Sequence, residues 1–174
     1  MGCLQTLTNI TTDCGSNLGG VSVVYIANRD DVKEVTITEN KISAITMETS
    51  KYFNTFEFRK QTANLKSDYT IDDTAGVKYV TSNLSLRFAK QDTAKRVAIT
   101  ALVQGEFVAI VKDNNGAYWY LGKDSTVTAT QGGSDTGTAF GDANEYTITL
   151  TDMSKEYPYE VDESIINGLL APGA

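Results

Sequence analysis

Apolar and polar residues alternate with a period of two along most of this chain, and a helical period stands out in one stretch. Segments rich in Val, Ile, Thr, Tyr and Phe run over 21–26, 32–38, 42–47 and 52–59, each bounded by polar residues. Alternation sends successive side chains to opposite faces of a pleated strand, so these segments predict strands. In the fourth, Phe56 and Phe58 share one face while Glu57 and Arg59 share the other. That is the pattern of a sheet with one wet face.

Residues 63–88 predict a long hairpin. Its β-prone arms, 65–71 and 77–88, flank Asp72-Asp73-Thr74-Ala75-Gly76, a turn-forming cluster in which Gly76 tolerates a positive φ. The arms carry many Thr, Ser, Lys and Asn residues, which suit backbone pairing with another chain better than burial in a private core. On this reading Leu65, Tyr69, Ile71, Val77, Tyr79 and Leu84 are the expected intersubunit contacts.

The helical period falls at 91–103, where Ala94, Val97, Ala98, Ala101 and Leu102 form one stripe, with Asp92 as N-cap and Gly105 beyond the end. Strands at 107–111 and 118–121 are joined across Asp113-Asn114-Asn115-Gly116, a hairpin signal. Residues 122–144, rich in Gly, Thr, Ser and Asp, predict a long surface loop with one short strand at 126–130. Alternation resumes at 146–151. After the extended Tyr157-Pro158-Tyr159, residues 162–170 predict a short helix packed by Ile165, Ile166, Leu169 and Leu170. Residues 1–20 lack a period and end in Gly19-Gly20, so they predict an arm ahead of a single β-rich domain at 21–174, with 157–174 as its C-terminal segment. The expected fold is mainly β: an antiparallel β-sandwich or partly open barrel with one flanking α-helix, a long β-hairpin and N- and C-terminal arms.

Composition narrows the chemistry. The 174 residues, 41% apolar and 21% charged, suit one globular core. No apolar run approaches the roughly 20 residues that cross a bilayer, and the N-terminus lacks the basic and apolar regions of a secretory signal. Histidine is absent, which excludes Ser-His-Asp and Cys-His catalysis and histidine metal ligation. The expectation is a protein that is not an enzyme, with no catalytic residue, cofactor, metal or membrane contact. The acid pairs Asp30-Asp31 and Asp72-Asp73 are expected to be turn chemistry, and the glycine-rich run 132–137 lacks the Gly-Lys-Ser/Thr of a phosphate loop, so it predicts a flexible loop. Cys3 and Cys14 are expected to be free thiols. Met1-Gly2-Cys3-Leu4-Gln5-Thr6 fits the permissive N-myristoylation pattern, but no basic patch assists membrane binding. Tyr118, Trp119 and Tyr120 read as a core strand, with a carbohydrate platform as the other possibility. The net charge of -7, scattered along the chain, argues against a protein that grips nucleic acid.

Several stretches carry a resemblance: Gly19-Gly20 followed by Val24-Tyr25-Ile26-Ala27-Asn28, Ile42-Ser43-Ala44-Ile45-Thr46-Met47, Phe58-Arg59-Lys60 and Phe88-Ala89-Lys90-Gln91-Asp92. To these are added Asp113-Asn114-Asn115-Gly116 with Trp119, Leu121-Gly122-Lys123-Asp124, and Thr136-Gly137-Thr138-Ala139-Phe140-Gly141-Asp142. The chain resembles a group of virion structural proteins from phages and prophages of Bacteroides-like bacteria, and its expected fold is similar to that of phage tail-tube proteins. The resemblance implies a homo-oligomer of hexameric rings that stack into a DNA conduit in the virion, assembled in the host cytoplasm beside other tail or connector proteins. DNA would pass without specific binding. Glu57, Asp68, Asp72 and Asp73 are then the candidate lumen acids, partly neutralised by Lys66 and Lys78, because an acidic wall repels phosphate. The arm 1–20 and the loop 122–144 are expected to order between stacked rings. A capsid decoration or head-tail connector protein, a carbohydrate-binding or fibre-like module, and a small enzyme are the competing readings.

Overall fold

A computed structural model describes residues 7–12 and 14–172. In chain order the elements are β1 (Val21–Asn28), β2 (Val32–Thr38), β3 (Lys41–Met47), β4 (Asn54–Glu57), β5 (Ala63–Asp72), β6 (Val77–Ala89), α1 (Thr93–Gln104), β7 (Phe107–Asp113), β8 (Tyr118–Leu121), β9 (Thr128–Asp135), β10 (Glu145–Ser154), β11 (Tyr159–Val161) and α2 (Glu163–Leu169). They make a seven-stranded sheet, ordered β2-β3-β11-β8-β7-β1-β4, and a four-stranded sheet, ordered β5-β6-β10-β9. Every pairing between these strands is antiparallel except β11 with β3.

The core depends on β7, whose residues Phe107 to Val111 are all buried. An unbroken apolar run is what a strand covered on both faces requires. One face carries Phe107, Ala109 and Val111, which join Val24, Ile26 and Leu121 against Leu84, Leu86, Phe88, Ile148 and Leu150 of the other sheet. The opposite face carries Val108 and Ile110, which cluster with Ile42, Tyr120, Val161 and, from α2, Ile166 and Leu169. The result is three layers: the four-stranded sheet, the seven-stranded sheet and α2. The mainly β, two-sheet architecture is as expected.

Four features differ from expectation. The C-terminal segment is not a projecting arm: β11 inserts between β3 and β8, and α2, capped by the Asp162 side chain, buries Ile166 and Leu169. The fourth strand is confined to Asn54–Glu57, although Phe56 and Phe58 do turn inward against Phe88, at ring-centroid distances of 6.2 and 5.6 Å. Within the expected loop, Thr128–Asp135 is an ordered edge strand paired with β10, and Gly132-Gly133 lies inside it. Backbone hydrogen bonding needs no side chain, so the glycines that signalled a loop are compatible with an edge strand beneath α1. A Cβ on Gly132 would lie 3.8 Å from Val103 Cγ2. Finally, α1 begins as predicted, with Asp92 Oδ1 accepting from Lys95 N–H at 2.8 Å, but rests on Leu102 and the half-buried Ala98 and Ile99, leaving Ala94, Val97 and Ala101 exposed.

The hairpin forms with the expected turn and with Gly76 at φ 68. Its polar arms do not share one fate. Val80, Ser82, Leu84, Leu86 and Phe88 alternate into the core from β6, whereas β5 beyond Leu65 is mostly exposed. At the N-terminal end, residues 7–12 and 14–20 lack regular structure, and the last of them dock on the β7–β8 turn. Asn115 Oδ1 accepts from Leu18 N–H at 2.8 Å, and the Asn114 side chain donates to Gly19 O at 2.7 Å. Cys14 is an exposed free thiol, while Cys3 and the acylation pattern over residues 1–6 lie outside the described residues.

Burial separates two hairpin positions. Leu84→Ala should cost about 2–5 kcal/mol in urea unfolding of the isolated subunit, whereas Ile71→Ser should stay within about 0.5 kcal/mol. Equal losses would contradict this placement.

Candidate assembly surface

Among the described residues, β5 and β9 each have one strand partner, so the four-stranded sheet has an unpaired edge on either side. Strand direction alternates across β5, β6, β10 and β9. The two edges therefore run in opposite directions, and β9 of one copy can accept β5 of another as an antiparallel neighbour. The β5 edge lies in the hairpin expected to make intersubunit contacts, whereas the β9 edge lies in a segment whose sequence resembles a loop. Thr128 and Thr130 carried the strand signal, which the following glycines cut short.

The hairpin tip extends past the last β10 pairing, Ser154 with Val80. Asp72 Oδ1 fixes its turn by accepting from Thr74 N–H at 2.9 Å and Ala75 N–H at 3.0 Å. By register, Leu65, Tyr69 and Ile71 lie on the core side of the sheet, and Val77 and Tyr79 on the outer side. Tyr69 meets Tyr157 edge-on with centroids 4.8 Å apart, and Ile71 is 62% exposed. Leu84 departs from the expected contact set: it is fully buried in its own subunit's core and offers no surface to a neighbour.

The structure does not gather the four candidate lumen acids. Asp68 pairs with Lys66 at 2.8 Å and Asp73 with Lys78 at 3.4 Å, while Asp72 is engaged in the turn. Glu57 belongs to the other sheet, beside the Phe88 end of the hairpin. Phe88 and Val77 are separated by roughly 35 Å of extended strand. The outer face of the four-stranded sheet is instead hydroxyl- and amide-rich, with Thr81, Asn83, Ser85, Thr147, Thr149 and Thr151 along its central strands. Thr151 Oγ1 donates to Asn83 Oδ1 at 2.8 Å and lies 2.9 Å from Thr130 Oγ1. Both strand cations on this face are paired, Arg87 with Glu145 through both carboxylate oxygens and Lys66 with Asp68, while Asp72 and Asp135 on the same face accept turn N–H groups.

Other singled-out residues have structural tasks. Asp113 Oδ1 accepts from Asn115 and Ala117 N–H, and its Oδ2 takes the Trp119 indole N–H at 3.0 Å. Tyr118 and Tyr120 are buried and Trp119 is half-buried, so this strand belongs to the core rather than to a flat aromatic platform. Burial pushes the Tyr120 hydroxyl up to about 12. No protein family, curated protein or solved structure matches the chain.

Asp152 is a buried carboxyl on the core side of β10. Burial pushes it above its ordinary value of 3.8, opposed by hydrogen bonds from Gly122 N–H and the Ser125 hydroxyl. A carboxyl raised in the folded state loses stability as pH climbs from its unfolded value through its folded one, and the penalty is constant above that. Asp152→Asn keeps an acceptor without the charge. Its stability relative to the parent should therefore increase from pH 3.8 upward and then level off in unfolding titrations. A difference that shrinks with rising pH would refute the assignment.

Proposed function

We propose that this protein is the subunit of a phage tail tube, in which four-stranded sheets join edge to edge into a ring and rings stack into a DNA conduit. The observation that carries the reading is the pair of unpaired, oppositely running edges on one sheet. An open edge is a template for another strand, and head-to-tail use of two different edges closes a ring when the rotation permits. An even number of alternating strands keeps every junction antiparallel, so the same contact repeats around the circle.

The outer face of that sheet supports the conduit role on chemistry that differs from the expected acid wall. Phosphate binding is driven by unpaired Lys and Arg, which release counterions when they meet DNA. Here Arg87 and Lys66 are held by Glu145 and Asp68, and the remaining central residues are mainly Thr, Ser and Asn. A wall of paired cations, neutral hydroxyls and the acids Asp72 and Asp135 gives DNA no footing. The net charge of -7 adds a weaker, long-range repulsion. A head-tail connector could use the same edges in a ring without stacking. Stacking is the feature that separates the two readings.

Edge chemistry supplies the test. Inward-pointing lysines block strand addition, so Tyr69→Lys/Ile71→Lys should disable the β5 edge and Gly132→Lys/Ser134→Lys the β9 edge. Each variant alone should be monomeric in sedimentation, while a mixture should form one-to-one dimers, because each supplies the edge that the other retains. Rings from either variant alone, or a mixture that stays monomeric, would reject the head-to-tail arrangement.

A further inference from the structure

The β9–β10 connection is a built turn that holds its one aromatic residue away from the protein. Asp135 Oδ1 accepts from Gly137 N–H at 2.8 Å, and Asp142 Oδ2 accepts from Thr138 N–H at 2.8 Å and Ala139 N–H at 2.7 Å. Asp142 N–H returns to Ala139 O at 3.0 Å. Gly137 adopts φ 70, and a Cβ there would stand 2.5 Å from Asp142 Cβ, so the turn closes only around glycine. None of these bonds involves the Phe140 side chain, which is fully exposed at the apex. A fixed turn that displays a phenylalanine loses little conformational entropy when the ring is buried by a partner.

A matching cleft lies at the same end of the sheet. Phe56, Phe88, Ala98 and Ile99 line a cavity of 180 Å³ between α1 and β4, with Glu57 and Lys95 also bordering it. An apolar cavity of about 150 Å³ is enough to hold a benzene ring. Where β9 ends and β10 begins, β5 also begins and β6 ends. If β9 of one copy pairs with β5 of the next, strand spacing of about 4.8 Å puts the neighbour's β6, and with it Phe88, about 10 Å from β9. The turn 136–144 leaves β9 at that level.

We infer that Phe140 is an intersubunit anchor, its ring seated in the cleft between α1 and β4 of the adjacent copy in the ring. The inference rests on the edge-to-edge ring proposed above and adds a side-chain contact to it. A central aromatic anchor in a preformed pocket is the usual seat of binding energy in an interface whose backbone contacts are otherwise unspecific.

The experiment uses the full chain carrying Cys3→Ser and Cys14→Ser, so that no native thiol interferes. Phe140→Cys and Ala98→Cys are made separately, and one carries a mass tag. Mixed and mildly oxidised under assembly conditions, they should give a disulfide-linked heterodimer. Separately, Phe140→Ser should raise the concentration for half-assembly about 10- to 100-fold, with the monomer's thermal midpoint unchanged. If the parent assembles, yet the mixture gives no heterodimer and Phe140→Ser assembles at the parental concentration, the anchor is overturned while the ring stands. A parent that stays monomeric at every concentration overturns both.

Discussion

A β-strand presents backbone donors and acceptors on both sides, and the outermost strands of an open sheet satisfy only one side with protein. Among the described residues that constraint falls on β2 and β4 of the larger sheet and on β5 and β9, the two margins of the four-stranded sheet. The seven-stranded sheet thus also ends in two strands with one partner each, β2 and the four-residue β4, while its interior covers β7 on both faces and draws the C-terminal segment in as β11. The molecule thus divides its work. One sheet and α2 build a rigid support, and the other lies on it with both margins available.

Polarity follows the same division. Residues of β6 and β10 facing the support are buried Leu84, Leu86, Ile148 and Leu150, whereas their outward neighbours are mainly Ser, Thr and Asn, with Thr151 bonded to the Asn83 amide and the Thr130 hydroxyl. Both strand cations on the outer face are paired, with Asp72 and Asp135 left over, so the face presents no free positive charge. Overall charge and local charge are separate quantities, and the local one governs sliding of a polyanion along a wall.

Much of the architecture was legible in period and turn chemistry. The alternation of β1 to β3, the Asp92 cap, the Asp72 to Gly76 turn and the hairpin at Asn115-Gly116 each depend on local rules that residues state directly. What was hidden depends on neighbours. Leu84 and Tyr79 lie on the same strand, and only the register against β5 and β10 shows that one is core and the other faces outward. The β9 edge was masked because Gly132 and Gly133 resemble a loop until β10 supplies their hydrogen bonds. Lys66 and Lys78 were expected to neutralise the hairpin acids in part, and the fold pairs them with Asp68 and Asp73, whereas the distance of Glu57 from the hairpin tip depends on tertiary packing that composition does not carry.

The central claim concerns assembly through these two edges, and electron microscopy of the purified protein over a range of concentrations addresses it most directly. The account predicts closed rings with an open centre at low concentration and stacked rings forming hollow tubes at high concentration. A particle that remains a monomer throughout, or that stops at a two-fold symmetric dimer, would contradict it.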